Sequence, residues 1–263
     1  MGGETLAHLT RNKLRYIQIA MAVVSLVAFL LMMIATRHFY STDVKEFQIP
    51  WWNYIAGHGW MGIITLNQHG GNYTTIWYVV IGVFDHLKLY PDFPIEYNIK
   101  AIAIFCTLAS SVCMFFIAKH FRPGSLYTPI VSAIVVLFLP AFFFDAMKTN
   151  LPDSVYLMFC LYSFFCFIKK KRYAAWFLLG MGACFKLMAI YLAPVYIYFY
   201  FKNFRKSSWT QRFAPVAGLL SVVVCSLPDV ILGGNFLDAI IKPLFSRGGQ
   251  ALGSVFSMWQ FFP

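Results

Sequence analysis

Apolar runs alternate with short polar turns along the chain. The runs fall at 16–36, 76–90, 98–118, 125–144, 154–168, 173–201 and 213–232. Most approach the roughly 20 residues that a helix needs to cross a bilayer, so the pattern predicts a polytopic bundle of helices. The turns are basic: Arg11, Lys13 and Arg15 precede the first run, and Lys119 and Arg122 follow the third. Lys169, Lys170, Lys171 and Arg172 precede the sixth, and Lys202, Arg205, Lys206 and Arg212 follow it.

Basic turns favour the cytoplasmic side of a membrane, and that preference sets parity. Three runs lie between Arg15 and Lys119, where only an even number of crossings keeps both basic sites on one side. The run at 76–90 carries Asp85, His86 and Lys88 and is too short to span. It is therefore expected as an amphipathic or re-entrant segment on the outer face. By the same reasoning 173–201, basic at both ends, is expected as two helices folding back near Lys186 to Ala189. Each would hold about 14 residues, roughly 21 Å of rise. The predicted layout is one transmembrane unit over 1–263 with about seven crossings and a cytoplasmic N-terminal tail at 1–15. A large outer catalytic loop covers 37–97, and an outer segment at 233–263 ends without a closing helix, as in a chain cut short.

Composition agrees with lipid as the solvent. Hydrophobic residues make up 60% of the 263 and charged ones 12%, against about 25% charged in soluble domains, and mean hydropathy is +0.66. The net charge of +11 is assigned to basic loops facing anionic lipid. A nucleic-acid partner is not expected, because no long polar face mixes basic and aromatic residues. Cys106, Cys113, Cys160, Cys166, Cys184 and Cys225 all lie in apolar runs, where cysteine acts as a small hydrophobe. No cofactor or metal is expected. His58 and His69 lack a third ligand at a recognisable spacing.

The layout gathers polar residues on the outer face: Asp43, Lys45, Glu46, His58, His69 and Asn72 from the loop, and Asp145, Lys148, Asn150 and Asp153 from "DAMKTNLPD". Lys186, inside "GMGACFKLMAIYLAP", is the ionisable residue at membrane depth that points to function. Asp238, Lys242 and Arg247 come from the tail. Glycosyl transfer from a lipid phosphate would use such a set. A carboxylate takes the proton of an acceptor hydroxyl, and cations face the charge growing on the departing phosphate. No Asp-x-Asp pair occurs in the chain, which fits a scheme without a nucleotide-metal pair. Asp43, just past the first helix, suits the base. Pro50, Trp51 and Trp52 read as an interfacial wedge, and an indole such as Trp51 could equally stack on a sugar.

"STDVKEFQIPWWNYIAGHG" followed by "NYTTIWYVVIGVF" resembles the first outer loop of GT-C membrane glycosyltransferases. It is most similar to bacterial relatives of the mannosyltransferase that adds the second mannose to GPI anchors. "VVLFLPAFFFDAMKTNLPDSVYLMFCLYSFFCF" and "LGMGACFKLMAIYLAPVYIY" resemble the family's third to sixth helices, so the likeness runs over about 16–205. The resemblance implies Asp43, in "STD", as catalytic base and Asp153 as a second acid opening the fourth helix. The family's Trp-Gly-Gln before that acid is replaced here by Asn150-Leu151-Pro152, which leaves donor and acceptor identity open. The Phe-Lys-Leu of "CFKLMA" implies a lipid-phosphate role for Lys186.

The expectation is an inverting transferase in a bacterial plasma membrane, N-terminus inside, moving a sugar such as mannose from a polyprenyl phosphate to a glycan or lipid acceptor. Asp43 and Asp153 are the catalytic candidates. Lys186, Lys148, Asn72, Arg247 and Trp51 are the substrate-binding ones. Two other readings compete: a lipid or solute carrier, for which Lys186 and the Gly- and Pro-broken helices at 180–194 would form the site, and a non-catalytic subunit of a cell-wall assembly.

Overall fold

The computed structural model describes residues 2–66, 71, 73–87, 94–150, 152–206 and 208–235. Within the described residues each apolar run becomes helix: α1 (Gly2–Ala35), α4 (Thr75–Leu87), α5 (Ile95–Phe121), α6 (Tyr127–Phe138) with α7 (Pro140–Phe144), α8 (Asp153–Ile168), α9 (Arg172–Phe185), α10 (Ala193–Asn203) and α12 (Val216–Ile231). The 37–97 segment adds α2 (Ile49–His58) and α3 (Trp60–Thr65), and a short α11 (Trp209–Arg212) precedes α12. No strand occurs among the described residues. The fold is all-α and polytopic. Two helices, over Asn12–Ala35 and Ile95–Phe121, are long and apolar enough to cross a membrane, and α6 with the bent stretch after it makes a third. Residues 2–15, expected as a tail, continue the first helix without a break.

The 46° bend between α6 and α7 has a local cause. Pro140 has no N–H to extend the ladder, and Leu139 before it is extended, with ψ 127°, as a residue preceding proline prefers.

Neighbouring contacts fix the direction of each helix. The Ser111 hydroxyl donates to the Ala133 carbonyl at 2.9 Å, so α6 runs back along α5. Tyr162 reaches the Ala109 carbonyl at 3.2 Å while Val155 shares a core cluster with Cys106, so α8 runs with α5. α9 turns back on α8 through residues 169–171. Gly182 faces Ala189 and Trp176 meets Tyr196 edge-on at 5.7 Å, so α10 folds back along α9. The hairpin expected near Lys186 is present, its bend made by an extended Lys186 and a 3-10 turn at Leu187–Leu192. α12 runs parallel to α9, with Gly218 against Trp176 and Cys225 Sγ 3.3 Å from Met181 Sδ. Lys119, Arg122, the 169–172 turn and Lys202 therefore share one end of the bundle. Asp43, Asp145, Asp153, Lys186 and Asp229 share the other.

Association between α9 and α12 rests on small residues. A Cβ at Gly180 would lie 2.0 Å from Ser221 Oγ and 2.5 Å from the Gly218 carbonyl oxygen. Close backbone approach of this kind drives helix pairing where lipid removes the hydrophobic incentive.

Helices α2, α3 and α4 close over the acidic end. Val44, Trp51, Trp52, Ile55, Ile63, Trp77 and Tyr78 form one buried cluster with Ile99, Ile102 and Cys106 of α5, Val155 of α8 and Phe185 of α9. Trp52 and Trp77 are each 1% exposed, and both indole N–H groups find acceptors, as buried tryptophans require. Trp52 Nε1 donates to Asp85 Oδ1 at 2.9 Å and Trp77 Nε1 to Gln48 Oε1 at 3.0 Å. α4 packs on α2, α3, α9 and α12, and Thr74, just before its first turn, donates its hydroxyl to the Cys184 carbonyl.

Candidate active site

The segment between α7 and α8 is built on Asp145, which is 2% exposed. Its Oδ1 accepts from the Thr149 hydroxyl at 2.7 Å, and its Oδ2 accepts from the backbone N–H of Ser154 at 3.0 Å. The first turn of α8 leaves N–H groups without helical partners, and Asp145 answers one of them from outside the helix. Residues Asp145–Thr149 form a π-helical turn, closed by Asn150 N–H on the Asp145 carbonyl at 2.8 Å. Asn150 is left-handed, with φ 48°, a conformation that asparagine tolerates. Its Nδ2 donates to the carbonyls of Asp145 and Ala146. The chain enters α8 from this turn with its direction already set.

Asp153 opens α8, where the positive end of the helix dipole favours a carboxylate. Its Oδ1 forms an ion pair with Lys186 Nζ. Lys186 caps the C-terminus of α9 in an extended conformation, and its ammonium also lies 5.8 Å from the centroid of the Tyr156 ring. The two side chains are 23% and 27% exposed, enclosed enough for strong pairing yet open to a ligand. The Ser154 hydroxyl beside them is buried without a hydrogen-bond partner.

Asp43 reaches the same joint by a different path. It is exposed and caps a second π-helical turn, Val44–Gln48. Two residues earlier, Ser41 is bonded to the 145–149 turn, its N–H to the Lys148 carbonyl and its hydroxyl to the Thr149 carbonyl, both at 2.9 Å. The acids expected from sequence thus flank one stretch of hydrogen-bonded backbone, and each adjoins a π turn, Asp43 just before one and Asp153 shortly after the other, a distortion frequent at functional sites.

The other expected residues are placed unevenly. Lys148 is exposed on the turn that Ser41 holds. Trp51 is 4% exposed, edge-on to Tyr73 and Tyr78 at 5.6 and 5.7 Å, with its ring face in the core. His58 stacks on Tyr54 at 4.2 Å. Asn72, His69, Asp238, Lys242 and Arg247 lie outside the described residues. Among the described residues no three His, Cys, Asp or Glu side chains converge as metal ligands.

Two buried charges had no sequence reading. Lys100, 4% exposed, donates to the carbonyls of Thr36 at 2.5 Å, Phe39 at 3.0 Å and Met147 at 2.8 Å. Its three protons tie α5 to the end of α1, to the loop leading to Asp43 and to the turn leading to Asp153. Asp229, 3% exposed, sits near the end of α12 that lies beside Lys186. Charge inside an apolar helix is the signal that marks both. Lys100 stands close to the start of its run, where it reads as an edge residue.

One protein family, described as dolichyl-phosphate-mannose-protein mannosyltransferase, matches residues 95–231. That is just over half of the 263 residues. The chain belongs to that family. It is therefore an integral membrane glycosyltransferase of the GT-C type. The match takes in Lys100, Asp145, Asp153 and Lys186, while Asp43 precedes it. It supports the glycosyltransferase reading and gives none to a carrier or to a particular kinship with the GPI enzyme. No curated protein and no solved structure matches the chain.

Proposed function

We propose that this membrane glycosyltransferase moves a sugar, mannose by the family's description, from a polyprenyl phosphate to an acceptor hydroxyl at the acidic end of the bundle. The observation that carries this reading is the ion pair between Asp153 and Lys186, set where the loop bearing Asp43 is bonded to the turn that starts α8. A lysine held at the lip of a membrane helix by one carboxylate is ready to accept a second anion, the phosphate of the donor. The N-terminus of α8 adds positive potential on the same side.

The chemistry follows from the roles. The acceptor oxygen attacks the anomeric carbon from the face opposite the phosphate, forming the new C–O bond as the old one breaks, so the configuration inverts. Asp43 accepts the hydroxyl proton. The electron pair of the breaking bond leaves on the phosphate oxygen, where Lys186 stabilises it. Asp153 orients Lys186, and Lys148 lies on the adjacent turn as a further cation.

The test is transfer from a radiolabelled polyprenyl-phosphate sugar by the purified, reconstituted chain. Asp43→Asn is expected to reduce turnover by about 100-fold or more, the usual scale of a general base, with donor affinity little changed. Near-normal turnover in that variant removes Asp43 from the base role.

A further inference from the structure

The far end of the bundle carries a cavity that the transfer reaction does not use. It measures about 380 Å³ and is lined by Phe167, Lys170, Arg172, Trp176, Tyr196 and Tyr200, among others. α8 holds 16 residues between Asp153 and this end, so the cavity lies roughly 24 Å from the Asp153–Lys186 pair. Its volume falls in the range of small-ligand pockets.

The cavity wall is stiff. The rings of Phe167 and Tyr196 stack at 4.4 Å and 7°, and the Trp176 ring meets Tyr196 at 81°. Tyr196 is fully buried, and its hydroxyl lies 2.9 Å from Ser163 Oγ. Tyr196 thus lies behind Phe167 and Trp176, which cover its ring and brace the wall. Lys170 and Arg172 on the cavity lining repel a cation and select an anion.

Lys170 has an unusual backbone. Lys171 N–H bonds to the Cys166 carbonyl at 2.9 Å and Lys170 N–H to the Phe167 carbonyl at 3.0 Å, the paired bonds of a Schellman cap. The left-handed position in that cap belongs to glycine by preference, yet here Lys170 occupies it at φ 61°. A lysine kept where glycine would be more stable points to a role for its side chain. Beside the cavity, α10 presents Ile197, Tyr198 and Phe201, 43%, 58% and 67% exposed, a surface for acyl chains. Lys202, its ammonium 5.6 Å from the centroid of the Tyr198 ring, adds positive charge beside α10 and attracts anionic headgroups.

We infer that this cavity binds the phosphate headgroup of an anionic membrane lipid, with Lys170 and Arg172 on the phosphate, the aromatic wall against the glycerol and the acyl chains along α10. The site is separate from the proposed transfer site and does not depend on it.

The test places the full chain in phosphatidylcholine nanodiscs carrying a minor fraction of phosphatidylglycerol and counts retained lipids by native mass spectrometry. The wild-type chain is expected to keep one phosphatidylglycerol. Lys170→Gly and Lys170→Asn, both at home in the left-handed region, are expected to keep their thermal midpoint while retention falls about fivefold, the scale of one lysine at an anionic surface. Lys119→Gln removes the same charge from the same end and is expected to leave retention unchanged. The assignment fails if both Lys170 variants retain lipid like the wild type, or if Lys119→Gln loses as much as they do. Displacement of the lipid by inorganic phosphate at millimolar concentration overturns the lipid as ligand.

Discussion

Lys100 Nζ lies 2.8 Å from the Met147 carbonyl oxygen, joining residues 47 positions apart. With its bonds to Thr36 and Phe39, this ammonium fixes the distance between the loop of Asp43 and the turn before Asp153. Replacing it with methionine keeps the volume and strands three carbonyls. Lys100→Met is expected to destabilise the fold by about 3 kcal/mol or more, the cost of unsatisfied buried partners of a charge, read as a lower thermal midpoint in detergent. Lys100→Arg is expected to recover part of that loss.

Lys186 and Asp153 depend on one another. Lys186→Gln is expected to raise the apparent KM for the polyprenyl-phosphate donor and to lower kcat, since the cation serves both binding and departure of the phosphate. Asp153→Asn leaves the lysine in place without its guide, and kcat is expected to fall further than donor affinity. Steady-state kinetics with varied donor separates the two. Equal behaviour of both variants counts against a guiding role for Asp153.

The α9–α12 contact tolerates no added atom. Gly180→Ala puts a methyl group 2.0 Å from Ser221 Oγ and 2.5 Å from a backbone oxygen. A loss of about 1–3 kcal/mol is expected for such overpacking, measured by thermal unfolding. Adding Ser221→Ala relieves the first clash and leaves the second, so rescue is expected to be partial.

Sidedness is open to direct labelling. The basic turns gather at one end and the acids at the other, so single cysteines replacing Lys170 and Asp43, in a chain stripped of its own cysteines, are expected to react with a membrane-impermeant maleimide from opposite faces. Reaction of both from one face breaks the link between helix direction and membrane orientation.

Helix directions were legible in the sequence because one physical rule repeats: each basic turn marks the same end, so parity alone forces the hairpin at Lys186. Lys186 was legible as a charge standing out against apolar neighbours, whereas Asp153 was singled out by the family resemblance, and only the folded chain pairs the two. α2 and α3 were not. Their apolar positions bury against α4 and α5, partners that no local periodicity reveals. Trp51 read as a wedge at the lipid surface because tryptophan favours both interfaces and cores, and only the neighbouring Tyr73 and Tyr78 show which it occupies here. Lys100 was the larger gap. Its partners are bare carbonyls from two distant segments, and a carbonyl leaves no trace in the letters.

The hairpin of α8 and α9, with 16 and 14 residues, rises only about 24 and 21 Å, against a hydrocarbon thickness near 30 Å. Thinning of the lipid beside it is one way such a short stretch is matched. Thinning would bring headgroups and water toward Lys186, as a shallow dimple on the acidic side. In the proposed reaction, a polyprenyl carrier sliding within its leaflet would meet the lysine there without lifting its phosphate clear of the membrane.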